Sequence, residues 1–225
     1  MILTIADLLG PDDLSAVRDG LGTVRWRDGR HTAGTIAGAV KANRQADLSG
    51  RSGLAIRDRI AGALHAHPVL RAAAQPARFS DMIISRTAAG GGYGRHIDNP
   101  FMGSSGVNAA LRTDLSYTLF LNDPSEYEGG ALLIERPDGD RRYRFPAGTL
   151  LLYTSSYLHA VEPVARGERL VCVGWIESRV RDAERREILF DLENLAVSLG
   201  RTLDAQSEES LTLAKVIANL KRTFS

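Results

Sequence analysis

Between Ser80 and Ser178 the chain is cut into short β-rich runs, and that spacing limits the fold more than any other feature. The runs read DMIIS, LSYTLFLN, GALLIE, RYRF, TLLLYTS and LVCVGWIES. Turn chemistry separates them, at Asn122-Asp123-Pro124, Gly129-Gly130, Pro137-Asp138-Gly139 and Pro146-Ala147-Gly148. Glycine and proline there favour reversals that a continuing strand does not make. The runs stand too close together for crossover helices, which parallel strands require. Antiparallel strands in a barrel or a double-sheet sandwich remain.

The flanks read differently. Before residue 76 the chain is mixed and mostly helical. Pro11, Asp12 and Asp13 supply helix-start chemistry ahead of LSAVRDGL. A second helix is expected from Ser52 to Ala66, with Leu54, Ile60 and Leu64 on its apolar side. Between them lies RWRDGRHTAGTIAGAVKANRQ, long for a plain connection and of the kind that serves a site. After Val180 the period turns helical again. Ile188, Leu192, Leu195 and Leu199 recur at spacings of 4, 3 and 4 before Gly200, and Leu213, Ile217, Leu220 and Phe224 repeat the pattern. These two helices are expected to pack on the sandwich or to offer a homo-oligomer surface.

Composition narrows the partners. The 225 residues carry a net charge of +1, which gives no electrostatic case for nucleic acid or a membrane surface. The basic run Arg141-Arg142-Tyr143-Arg144 follows Asp138 and Asp140 and reads as a solvated hairpin. No apolar run approaches the roughly 20 residues of a membrane span, and the N-terminus does not resemble a signal peptide. The single cysteine, Cys172, excludes an intrachain disulfide and lies in an apolar run, as a buried thiol would. A cytoplasmic location is expected.

Only five histidines occur, so each can be weighed. His65 and His67, in ALHAHPVL, fall near a helix end and read as structural or surface groups. His31 sits in a polar loop and reads as solvated. His96 and Asp98, in YGRHIDN, fall two apart in an extended segment, so their side chains point the same way. His159 follows another β-rich run. Were it on a neighbouring strand, it would complete two imidazoles and one carboxylate, the facial set of non-haem Fe(II) sites. The absence of thiolates argues against structural zinc.

Arg169 follows ten residues later and opens the run LVCVGWIES. On a strand, Arg169, Val171, Val173 and Trp175 share one face. A buried arginine there needs a carboxylate, and a chelating dicarboxylate would bring one. The alternative is a surface ion pair with Glu168 or Glu162.

With these residues in view, the sequence resembles the Fe(II)/2-oxoglutarate dioxygenases, and within them the bacterial PKHD-type hydroxylases, relatives of prolyl 4-hydroxylase. The similar stretches are DGRHTAG with VKANRQ, YGRHIDN, RTDLSYTLFLNDPSEYEGGAL, PAGTLLLYTSSYLHAVEPVARGERL and WIESRVRDAERREILFDL. The resemblance implies a mainly β fold with flanking helices (α+β), built on a double-stranded β-helix of the jelly-roll or cupin-like kind. That core would span residues 77–178, with a mixed helical region over 1–76 and a C-terminal helical region over 179–225. The resemblance implies that His96, Asp98 and His159 bind Fe(II) and serve catalysis. It also implies that Arg169 binds the far carboxylate of 2-oxoglutarate, with O2 as co-substrate and L-ascorbate as a reductant. The implied reaction hydroxylates a small-molecule or peptidyl substrate with release of succinate and CO2, and iron acquisition is one suggested setting. Asp98 favours hydroxylation, since related halogenases keep that position small. The family usually has Asn-Arg-Tyr where this chain has Ser85-Arg86-Thr87, so one pocket tyrosine is absent. A non-catalytic cupin-like binding module remains the alternative, since it would need the metal ligands but not Arg169.

Overall fold

A computed structural model describes residues 1–32, 40–103 and 110–225, with backbone alone for residues 31 and 32. The chain opens with strand β1 (Ile2–Ile5) and helix α1 (Pro11–Leu21), which has Pro11 in its first turn beside Asp12 and Asp13. Strands β2 (Trp26–Asp28), β3 (Lys41–Ala42) and β4 (Arg44–Ala46) precede helices α2 (Arg51–Ala66) and α3 (Pro68–Ala74). Then follow β5 (Pro76–Phe79), β6 (Ile83–Ala88), β7 (Gly92–His96), β8 (Phe101–Met102) and β9 (Leu111–Arg112). Strands β10 (Leu115–Phe120), β11 (Tyr127–Gly129), β12 (Leu132–Ile134) and β13 (Arg141–Tyr143) come next. After β14 (Leu150–Thr154), β15 (His159–Val161) and the long β16 (Val164–Ser178), helices α4 (Ala183–Leu199) and α5 (Glu208–Phe224) close the chain.

Most of the strands form two facing sheets, and β8 and β9 pair with each other as a separate ribbon. The larger has the order β1-β14-β10-β16-β6-β4-β2, with β5 and β11 also on β16; the smaller runs β13-β12-β15-β7-β3. The pairings are antiparallel, as the close spacing of the runs requires. The result is a jelly-roll core. The N-terminal strands belong to it as well, because β1, β2 and β4 extend the large sheet and β3 the small one.

Period-2 alternation divides the large sheet between two apolar layers. Leu115, Tyr117, Leu119, Leu150, Leu152 and Cys172 face the helices, where they meet Val17, Ile56, Ile60, Leu64 and Leu70. Phe120, Leu151, Tyr153 and Val171 face the small sheet and meet Leu132 and Ile134. Every residue of β10 is buried because both of its faces are covered. Tyr117, on the helix side, lies against Gly174; a Cβ at position 174 would strike the phenol.

Two helical expectations need correction. Leu54 does not lie on the buried face of α2; it is 39% exposed, and Ile56 takes its place beside Ile60 and Leu64. The reason is angular: six residues from Leu54 to Ile60 turn the helix by about 600°, well off one face, whereas steps of four stay on it. In α4 the buried residues are Arg186 and Leu189, while Ile188 and Leu195 are exposed. The helix docks on α3 through the neighbouring stripe. The expected stop holds: Gly200 caps α4 at its C-terminus, while at its start Asp182 accepts from the Arg185 N–H at 2.9 Å. In α5 the stripe of Leu213, Ile217, Leu220 and Phe224 is half-buried, and the helix lies on α4.

Candidate active site

The antiparallel register of β7 and β15 sets His96 directly opposite His159. Their rings lie 4.2 Å apart between centroids. Beyond the end of β7, Ile97 turns outward, 54% exposed, and Asp98 turns back in. One ligand atom from each of His96, Asp98 and His159 lies within 4.8 Å of the others, and Asp98 Oδ1 stands 3.7 Å from His159 Nε2. The structure thus brings together the three residues singled out from sequence. The turn before β7 uses Gly90 (φ +80°), while Gly91 lets β3 come close, since a Cβ there would strike the Ala42 carbonyl.

The surroundings prepare these groups to bind a cation. His96 Nδ1 lies 2.8 Å from the Gly94 carbonyl and His159 Nδ1 lies 3.0 Å from that of Tyr157. A carbonyl only accepts, so each Nδ1 donates and each Nε2 is the nitrogen left to face the centre of the cluster. Burial, and next the neighbouring His159, push the His96 imidazole down to about 4, so it is neutral at physiological pH. Ser116 Oγ donates to Asp98 Oδ2 at 2.6 Å and lies 2.7 Å from Ser155 Oγ. Two imidazole nitrogens and one carboxylate oxygen, with no thiolate, suit Fe(II).

Across the cavity, Arg169 stands on β16 and is 3% exposed. It faces inward with Val171, Val173 and Trp175, as the strand period predicts. The surface ion pair does not form. Glu162 pairs with Arg142 and Glu168 approaches Arg86, and no described carboxylate pairs with Arg169. Its Nε has no hydrogen-bond partner. Burial pulls the guanidinium down from its ordinary value, and the Tyr127 and Tyr153 phenols oppose that fall. Phe120 lies under it at 5.6 Å. Thr87, where the resembled family has tyrosine, is buried directly across from Arg169 in the β6–β16 register. Tyr127 and Tyr153 thus supply phenols at this end of the pocket from other strands.

The cavity between the two ends measures about 900 Å3 including its open mouth. That is ample for a bound small molecule with room beside it. Several lining residues were not singled out from sequence: Lys41, Tyr93, Ser116 and Tyr153. One signal existed for Ser116 and Thr118, which are polar residues two apart inside an otherwise apolar buried strand.

The other histidines lie elsewhere. His65 packs edge-on against Phe79 at 4.6 Å, and His67 caps α3 by accepting from the Leu70 N–H. The His31 side chain and part of the stretches 25–45 and 100–112 fall outside the described residues. The basic run is only partly solvated. Arg141 pairs with Asp138, but Arg144 donates to two carbonyls and covers the Tyr127 ring at 4.6 Å.

Residues 82–177 match the 2OG-Fe(II) oxygenase superfamily, the class that this fold and donor set define. Over its whole length the chain is 47% identical to a PKHD-type hydroxylase of Hyphomonas neptunium, covering 99% of that protein. It is 39% identical to the PKHD-type hydroxylase YbiX of Escherichia coli, again across the full chain and 99% of the relative. The chain belongs to the PKHD-type hydroxylases. Solved structures share the fold. A Pseudomonas putida prolyl-4-hydroxylase matches with a TM-score of 0.51 at 21% identity, over 79% of this chain and 92% of that one. A Trichoplax adhaerens prolyl hydroxylase in complex with a hypoxia inducible factor peptide matches with a TM-score of 0.53 at 16% identity, over 84% and 86%.

Proposed function

We propose that the protein is an Fe(II)- and 2-oxoglutarate-dependent hydroxylase in which His96, Asp98 and His159 hold the iron and Arg169 holds the co-substrate. The observation that carries this reading is the buried Arg169 in the same cavity as the His-Asp-His cluster, with no described carboxylate to neutralise it. A buried guanidinium is costly without an anion, and a dicarboxylate reaching from the metal supplies one. A non-catalytic binding module would need the ligands but not this arginine.

Iron with 2-oxoglutarate and O2 supplies the oxidising chemistry, which ends in succinate, CO2 and a hydroxylated product. The protein's share is orientation and shielding. Ser116 fixes the face that Asp98 presents, and the two backbone carbonyls fix the imidazoles. Val171, Val173 and Tyr153 exclude water along the path to Arg169. L-ascorbate is proposed as the reductant that keeps the iron ferrous. The substrate is a small molecule or a peptidyl side chain. We place the enzyme in the cytoplasm, where a lone thiol such as Cys172 stays reduced. Among the described residues no helix is long and apolar enough to cross a membrane. The exposed Ile188, Leu195, Val197, Leu211 and Val216 on α4 and α5 support a homo-oligomer contact there.

Two variants test the assignment. Arg169→Leu should weaken 2-oxoglutarate binding by at least ~30-fold, since losing one partner of a buried charge pair costs roughly 2–5 kcal/mol. Unchanged half-saturation would remove Arg169 from the role. His159→Ala should abolish the visible absorption band that anaerobic Fe(II) and 2-oxoglutarate produce together; a surviving band would place the third ligand elsewhere.

A further inference from the structure

A second cavity, sharing no lining residue with the active site, opens where three helices meet the end of β16. Helix α3 supplies Arg71, and the chain leaving it supplies Gln75. Helix α4 supplies Glu193, α5 supplies Lys221, and Arg179 follows the last residue of β16. The cavity measures about 780 Å3 including its open mouth. Hydrogen bonds from Gln75 fix these walls. It leaves α3 in the left-handed region (φ +44°), and its carbonyl accepts from the Arg179 N–H at 2.8 Å. Its side-chain Nε2 donates to the Ala72 carbonyl at 2.9 Å and to Glu193 Oε1 at 3.3 Å.

The charges in this cavity do not balance. Glu193 is the one carboxylate in the lining, and it already pairs with Lys221. Several exposed arginines of this chain find carboxylates on other elements: Arg18 on Glu126, Arg59 on Asp13 and Arg166 on Glu128. Arg71 and Arg179 pair with no described carboxylate, and both line this one cavity. Three cations against one carboxylate leave a surplus of two positive charges. Ala66, Pro68, Ala72 and Pro76 complete the wall and bring no anion. On a convex surface such arginines need only water. In a concavity, low-dielectric walls focus the field and concentrate anions.

The two forks indicate which anion fits. A guanidinium closes on a carboxylate or a phosphate through two parallel hydrogen bonds. A single carboxylate has two oxygens and one charge, enough for one fork. A phosphate monoester has three free oxygens and a charge between about −1.5 and −2 at pH 7. It can take both forks and offset the whole surplus. We propose that this cavity is a phosphate-binding site, in which Arg71 and Arg179 hold free phosphate or the phosphate group of a small monoester. Lys221, engaged by Glu193, adds to the field. The cavity leaves room for the organic part of an ester. A phosphate held there joins α3 to the end of β16. None of these residues enters the iron or co-substrate reading, so the site is independent of it.

The test is calorimetric titration of the full-length protein at constant ionic strength and pH 8, where the phosphates are almost fully dianionic. The probes are inorganic phosphate, glycerol 3-phosphate and glycerol. At least one phosphate should bind with a Kd below about 1 mM, and glycerol should not bind. Equal or tighter binding of the ester identifies a monoester site; tighter binding of inorganic phosphate identifies a free-phosphate site. Arg71→Gln and Arg179→Gln should each weaken binding about tenfold or more, as the loss of a hydrogen bond to a charged group does. Both side chains are exposed, so neither change removes core packing. Arg201→Gln, at an exposed arginine outside the cavity, should leave binding unchanged. The proposal is overturned if both phosphates bind more weakly than about 1 mM, or if the affinity survives in either cavity variant. Those results mean an adventitious ion only. Glycerol binding as well as its phosphate, or an equal loss in Arg201→Gln, overturns it as well.

Discussion

Replacing Ser116 by alanine should weaken metal binding about 30-fold without unfolding the protein. Ser116 Oγ donates to Asp98 Oδ2 at 2.6 Å; Ser116 is buried and the Asp98 side chain is only 9% exposed. A hydroxyl has one proton, and that proton is committed to the carboxylate. At the 2.7 Å contact between the two serines, Ser155 must therefore donate to Ser116. The pair forms a relay that ends on Asp98, the proposed metal ligand. A hydrogen bond to a charged group contributes roughly 1.5–3 kcal/mol. Taking about 2 kcal/mol, at about 1.4 kcal/mol per decade, gives ~30-fold. That falls within the roughly 10- to 100-fold loss typical of groups that orient metal ligands. Ser155→Ala removes a neutral hydrogen bond of about 1 kcal/mol one step further out, so its effect should stay below ~5-fold. Anaerobic titration with Fe(II), or with Mn(II) in its place, measures the affinity, and the melting temperature of metal-free protein is read in parallel. A positioning role moves the first and a purely structural role the second. Unchanged affinity in Ser116→Ala, or a larger loss in Ser155→Ala, would refute the relay.

Three further outcomes are expected. Cys172 is fully buried, and burial pushes its thiol up to about 12, so it should resist iodoacetamide at pH 8 until denaturant is added; rapid native labelling would contradict its place in the core. Ile60→Ala removes a side chain with no exposure at the helix–sheet layer and should cost about 2–5 kcal/mol in urea unfolding, whereas Leu54→Ala should cost less than about 1 kcal/mol. In the metal-free protein, His96 has a folded value of about 4, below its ordinary value of 6.5, so the unfolded chain binds more protons between them. Its contribution to stability is therefore present above pH 6.5 and lost as pH falls toward 4; His96→Asn should flatten that part of the urea-midpoint profile, and an unaltered profile would count against the buried neutral imidazole.

The sequence makes some of this legible for definite reasons. His96 and Asp98 converge because extended chain repeats every two residues, and Arg169 faces inward with Val171 for the same reason. Those are local rules, and the short runs with turn residues between them carry the antiparallel architecture in the same way. Lys41, Ser116 and Ser155 are not visible locally. Lys41 and Ser116 reach the site through strand registers fixed by pairing far along the chain, as Lys41 does across from Tyr93, and Ser155 enters from the turn just after β14. The helix errors are of another kind. In α4 the apolar pattern offers two neighbouring stripes, and only docking against α3 selects Leu189 over Ile188.

The donor set also has a mechanical meaning. Both imidazoles come from adjacent strands of the small sheet, while Asp98 is tied through Ser116 to the large one. An ion held by all three is a rivet through two plates, and its fit depends on their separation. The spacer between the plates is the layer of Phe120, Leu132, Ile134, Leu151 and Val171. Such a close-packed layer transmits a change of even one methylene. With the three residues as the proposed iron ligands, substitutions at those distant apolar positions would change the span of the rivet hole, and with it the grip on iron, without altering a ligand.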